Sequence, residues 1–130
     1  MGAEPLRFRR VTWSPRLAAA LHKATAPADR AVNSEIVEGR AECWEIDGHG
    51  LIVTRLEVAP DGGRCFVVVA GVGRQGLEVL RRVPAICRAN GATTWRIHSR
   101  RPGMARYLAR AGLEYEQELG LGESVFHGRV

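Results

Sequence analysis

Gly71, Gly73 and Gly76 stand between the apolar run Cys65-Phe66-Val67-Val68-Val69-Ala70 and a segment of helical period that begins at Leu77. A strand that turns through glycines into a helix points backbone N–H groups at whatever lies above the turn. The start of a helix adds unpaired donors and a partial positive charge, so such a loop suits an anionic group, for example a pyrophosphate, lying close to the main chain. Further on, His98 ends the stretch Thr93-Thr94-Trp95-Arg96-Ile97-His98 and is followed by Ser99-Arg100-Arg101. An imidazole titrates near neutrality and can take or give a proton there. The other histidines, His22, His49 and His127, have no neighbours that would complete a metal-binding set, and no metal is expected.

The elements that must position these groups follow from pattern. Leu6 to Thr12 alternates and reads as a first strand. Ser14-Pro15 opens a helix to Thr25 with Leu17, Ala20, Leu21 and Ala24 on one face, and a second helix is expected from Pro27 to Val37 with Ala28, Ala31, Val32 and Ile36 inward. Ala41 to Ile46 and Gly50 to Ala59 flank Asp47-Gly48-His49-Gly50, whose Asp-Gly pair signals an antiparallel hairpin. Pro60-Asp61-Gly62-Gly63 is the next turn, so three consecutive strands form a meander. Beyond the glycines a helix is expected from Leu77 to Asn90, kinked at Pro84, with Leu77, Leu80, Val83, Cys87 and Ala89 inward. Its crossover must lay Thr93 to His98 parallel to Cys65–Ala70. A last helix through Met104, Tyr107, Leu108 and Ala111 ends at Gly112, and strands Leu113 to Leu119 and Ser124 to Arg129 close the chain.

Composition sets outer bounds. A chain of 130 residues, 45% apolar and 25% charged, is expected to form one globular domain. No run reaches the length of a membrane span, and the first residues carry neither a secretory signal nor a myristoylation pattern, so a cytoplasmic protein without a membrane partner is expected. Cys43, Cys65 and Cys87 sit in apolar stretches without paired spacing and read as reduced, buried core residues. Glu42, Glu45 and Asp47 read as the solvated face of the second strand, and Trp13, Trp44 and Trp95 as core or core rim. The net charge of +5 is carried almost wholly by arginine, in clusters at Arg7 to Arg10, Arg81-Arg82 and Arg96 to Arg106. These clusters are compatible with a solvated surface, a phosphorylated cofactor or nucleic acid, although no named nucleic-acid-binding motif accompanies them.

The order β-α-α-β-β-β-α-β-α-β-β, with the glycine loop after the fourth strand, resembles that of the GNAT superfamily of acyl-CoA-dependent N-acetyltransferases. The segment Ala105-Arg106-Tyr107-Leu108-Ala109-Arg110-Ala111-Gly112-Leu113 is similar to the end of that family's last helix. The resemblance implies an α+β fold of α/β/α layers: a mixed, mostly antiparallel sheet of about seven strands, parallel at strands four and five, with about four helices. It implies acetyl-CoA as cofactor, its pyrophosphate cradled by Val69, Ala70, Gly71, Val72, Gly73, Arg74, Gln75, Gly76 and Leu77, and a cleft where the fifth strand splays from the fourth. It also implies an acceptor amine, on a small molecule or a protein, with His98 or Glu57 as the base that deprotonates it. The family's general-acid tyrosine corresponds to Leu108, with Tyr107 one position away and about 100° around a helix; Tyr107 is either that acid or a core residue.

The loop completes the family pattern in neither register. Counting from Gly76 puts Gly73 where Gln or Arg belongs and Glu78 where Gly or Ala belongs, while counting from Gly71 puts Val68 at the Gln or Arg position. An N-acetyltransferase of unknown acceptor is therefore one reading. A non-catalytic GNAT-like protein is another, since internal virion proteins of short-tailed phages look similar in length and layout and would place the chain in a virion. Nucleic-acid binding through the arginines of the C-terminal half is a third.

Overall fold

The computed structural model describes residues 7–26, 28–47, 50–74, 76–99, 101, 103–120 and 122–130. The chain runs through β1 (Phe8–Val11), α1 (Pro15–Thr25), α2 (Asp29–Val37), β2 (Glu42–Ile46), β3 (Gly50–Val58), β4 (Arg64–Gly73), α3 (Gly76–Leu80), α4 (Val83–Ala89), β5 (Ala92–Ser99), α5 (Ala105–Ala109), β6 (Leu113–Gly120) and β7 (Glu123–Arg129). Capping chemistry fixes the start of α1: Ser14 Oγ accepts the Leu17 N–H at 3.1 Å, and Pro15 fills the first helical position, where its missing donor costs nothing. At the corner into α2, Thr25 Oγ1 lies 3.2 Å from the Leu21 carbonyl and 3.1 Å from Asp29 Oδ2.

The seven strands form one sheet in the order β1-β2-β3-β4-β5-β7-β6, antiparallel everywhere except β4 against β5. Helices cover both faces, giving the expected α/β/α layers. Leu17, Leu21 and Val32 of α1 and α2 pack with Cys43, Val53, Val67 and Val69 in one core. Leu80, Val83, Cys87 and Leu108 of the later helices pack with Phe66, Val68, Trp95 and Phe126 in the other. All three cysteines are buried free thiols, and burial pushes those of Cys43 and Cys87 up to about 11, away from nucleophilic reactivity. Trp95 is fully buried; Trp13 and Trp44 are half-buried and donate their indole N–H groups to Asn33 and Thr54. Among the described residues no helix is long and apolar enough to cross a membrane.

Several expectations are corrected. The helix expected from Leu77 to Asn90 is two short helices. The break at Arg81-Arg82 places Pro84 in the first turn of α4, where no backbone donor is required, so a break replaces the kink. Strand β4 does not stop at Ala70: Gly71, Val72 and Gly73 stay extended because they pair with Ile52, Leu51 and Gly50 of β3. Ala31 and Ala89 are exposed rather than inward. Glu42 and Glu45, three residues apart on a strand, fall on opposite faces and pair with Arg10 and Arg9 respectively.

Candidate functional site

The parallel pairing of β4 and β5 ends at Val68 and Ile97. From there β4 follows β3 as far as Gly73 and β5 follows β7 as far as Ser99, so the sheet forks between them. The fork coincides with an irregularity in β4: Val53 of β3 faces Ala70 and Thr54 faces Val68, leaving Val69 without a partner on β3. An extra residue of this kind bends and twists its strand, turning β4 away from β5. Past the fork, the edge of β4 that faced β5 has no strand partner among the described residues, and its backbone groups can bond to something else.

The fork opens toward both faces of the sheet. On the side of α3 and α5 lies a cleft of about 180 Å³ lined by Gly71, Gly73, Gly76, Val79, His98 and Tyr107. On the side of α1 lies a wider cleft of about 650 Å³, shared by Gly71, Gly73, His98 and Ser99 and bordered by Lys23 and Arg101. His98 faces both.

Of the nine residues expected to cradle a pyrophosphate, Ala70, Gly71, Val72, Gly73, Arg74 and Gly76 line the cleft. Val69 contributes its unmatched backbone, while its side chain belongs to the core beneath α1. Leu77 is half-buried and is not part of the cleft wall, and Gln75 lies outside the described residues. The helix behind the loop has five residues, so its dipole is small, and Glu78 brings a negative charge into its first turn, 4.0 Å from Arg82. Among the described residues, the cationic side chains along the cleft are those of Arg74, Arg101 and Lys23.

The fully buried Leu108 occupies the position of the expected general-acid tyrosine. Tyr107 nevertheless reaches the cleft: a Cβ built on Gly76 would lie 2.9 Å from its hydroxyl oxygen, and only a glycine at the start of α3 lets the phenol lie there undisturbed. Glu57 lies on the other side of the fork from Gly50. It pairs with Cys65, three residues and about 10 Å along β3 from Thr54, where the fork begins. Its carboxylate is held by Arg55 Nε at 2.7 Å, in a cluster that attaches α2 to the sheet, and it is not among the residues lining either cleft. Glu123 follows a glycine turn and belongs to no motif in the sequence. The β5–β7 pairing brings it to the fork, where its Oε1 lies 3.3 Å from His98 Nδ1.

No family model matches the sequence, and no curated protein matches it. Solved structures do. An acetyltransferase from Bacillus subtilis in complex with CoA superposes with a TM-score of 0.71 at 13% identity, over 97% of this chain and 99% of that one. A GNAT-family acetyltransferase from Elizabethkingia anophelis with acetyl-CoA bound gives 0.70 at 11% identity, over 96% and 98% of the two chains. An apo form of agmatine N-acetyltransferase gives 0.64 at 12% identity, over 97% and 100%. At these identities the likeness is one of fold. The chain has the GNAT fold over essentially its whole length, with the parallel pair of strands at β4 and β5.

Proposed function

We propose that the forked cleft binds an acyl-coenzyme A, most simply acetyl-CoA, and that the protein transfers the acyl group to an amine. The observation that carries this reading is the fork itself. An unpaired strand edge beginning at the irregularity on Val69 is suited to hydrogen-bonding an extended, amide-containing arm, and Gly71 and Gly73 leave room for it. The solved structures of the same fold with CoA or acetyl-CoA support it further.

The residues present fit such a ligand. Arg74 and Arg101 border the cleft with charge suited to its phosphates, and this matters more than the five-residue α3, whose Glu78 opposes an anion. When bound, the ligand would supply an activated acyl carbon and a thiol leaving group. On the protein side, His98 takes the proton that a protonated amine must lose before it can attack. Tyr107 holds a proton at its hydroxyl on the side of α3, available to the leaving group. The wider cleft at Lys23 and Arg101 admits the amine from the side of α1.

Isothermal titration of acetyl-CoA and of free coenzyme A tests the reading, with Gly71→Glu as control. Gly71 is the right position because an added Cβ would meet only ordinary contacts, 3.5 Å from Ile52, so the variant folds while its carboxylate enters the cleft. Gly73, with φ of 137°, would be strained by any side chain. Binding by the native protein that is lost in Gly71→Glu supports the proposal. Absence of binding favours the second reading, a GNAT fold without acyl transfer, for which Glu78 in the first turn of α3 is the specific observation.

A further inference from the structure

Of the three described histidines, only His98 is both shielded and open to a cleft. The side chains of His22 and His127 are 68% and 44% exposed, and neither lines a cleft at the fork. His98 and Glu123 are each 14% exposed and meet inside the fork.

We infer that Glu123 is a positioning residue for His98: it holds the imidazole with its proton on Nδ1, leaving the Nε2 lone pair to receive the proton of the acceptor amine. The inference rests on the acyl-transfer reading above. A neutral imidazole has one N–H and one acceptor nitrogen, and a carboxylate 3.3 Å from Nδ1 selects the tautomer in which Nδ1 is the donor. Nε2 is then an acceptor on a ring whose plane is fixed by the pair. The register fixes the partners, since His98 lies opposite Val125 and Ser99 opposite Ser124, which brings the first residue of β7 beyond the end of β5. One proton passes from the substrate ammonium to Nε2, giving a neutral amine and an imidazolium beside the carboxylate, and it leaves to solvent through the cleft on the side of α1.

The charged groups that share the fork with His98 are Glu123 of β7, Lys23 of α1, Arg74 after β4 and Arg101 after β5; Arg96, two residues earlier on β5, is engaged by Glu116 of β6, and Tyr107 of α5 borders the same space. Replacing Glu123 by an amide of the same shape removes the acceptor that selects the Nδ1–H tautomer.

The test follows thiol release from acetyl-CoA with agmatine as probe amine, and with water as acceptor where agmatine adds no rate, in the native protein, Glu123→Gln and His98→Gln across a range of pH. Glu123→Gln is expected to lower kcat by about ten- to a hundredfold and to leave KM for acetyl-CoA unchanged. His98→Gln is expected to lower kcat at least as far. Long-range proton–nitrogen spectra should show neutral His98 as the Nδ1–H tautomer in the native protein. An unchanged kcat in Glu123→Gln, or an Nε2–H tautomer in the native protein, overturns the inference while the acyl-transfer reading stands. Titration that finds acetyl-CoA binding, with turnover to neither acceptor, overturns the inference and leaves the binding half of that reading. No binding at all removes both.

Discussion

Gly50 and Val72 approach so closely that a Cβ on Gly50 would overlap the Val72 carbonyl oxygen and sit 2.6 Å from Gly73 Cα. Gly50 also has φ of 147°, in the region that side chains disfavour. It is the first residue of β3 and holds the glycine segment of β4 in the sheet beyond the point where β5 departs. Gly50→Ala therefore has to push β4 outward or give up the last pairs of the ladder. The expected cost is about 3 kcal/mol, read as a lower urea midpoint, together with weaker acetyl-CoA binding. Unchanged binding would mean that the end of β4 is not part of the site.

A second close fit lies in the core. A Cβ on Gly128 would sit 2.5 Å from Nε1 of Trp95, which is fully buried between the later helices and the sheet. The pairing of Trp95 with Gly128 is thus one large side chain filling the space of an absent one. Gly128→Ala is expected to destabilise by about 1–3 kcal/mol through overpacking. Combined with Trp95→Phe, which shortens the ring at that contact, it should cost less than the two single changes added together. Strict additivity in the double-mutant cycle would contradict this contact.

Most of the fold is legible in local signals. Ser14-Pro15 marks the start of α1, the turn at Pro60 to Gly63 and the helix end at Asn90-Gly91 fall as expected, and the crossover forces β4 and β5 parallel. What local pattern does not carry is non-local. Gly71 to Gly73 look like a loop until Gly50 to Ile52 are known to pair with them. The insertion of β7 between β5 and β6 is a choice of neighbour that neither strand's pattern encodes, and it alone brings Glu123 to His98. Glu57 shows the same limit: alternation gives a residue's face but not whether it lines a fork elsewhere along the sheet. Tyr107 shows the opposite limit. Its position on a long helix would put it one residue out of place, whereas α5 is only five residues and starts where the phenol reaches Gly76.

Glu57 and His98 should separate in experiment. Arg55 ties Glu35 of α2 to Glu57 of β3, with Nη1 3.1 Å from Glu35 Oε2 and Nε 2.7 Å from Glu57 Oε1. The Arg55 and Glu35 side chains are 25% and 18% exposed, so removing the cation leaves a carboxylate with reduced access to water. Arg55→Met is expected to lose about 1–3 kcal/mol, more than Glu57→Gln, whose partner keeps Glu35. Neither change should alter the affinity for acetyl-CoA, because Arg55 and Glu57 line neither cleft of the fork. A large loss of affinity in folded Glu57→Gln would return Glu57 to the site.

The α1–α2 corner carries a pH dependence of definite sign. The hydrogen bond from His22, with Nδ1 2.6 Å from Asp29 Oδ2, holds the Asp29 carboxyl below its usual range; burial acts against it, and the bond from Thr25 reinforces it. A carboxyl with a lower pKa in the folded protein contributes stability above its unfolded pKa, near about 3.9, and loses that contribution as pH falls through the folded value. Native protein and Asp29→Asn should therefore differ most in urea midpoint near neutrality and converge in acid. The convergence should not occur on the alkaline side, where Asp29 stays ionised in both folded and unfolded chains. A difference that persists unchanged into strong acid would mean that the Asp29→Asn substitution acts through shape, and that the ionised carboxylate is not what joins α1 to α2.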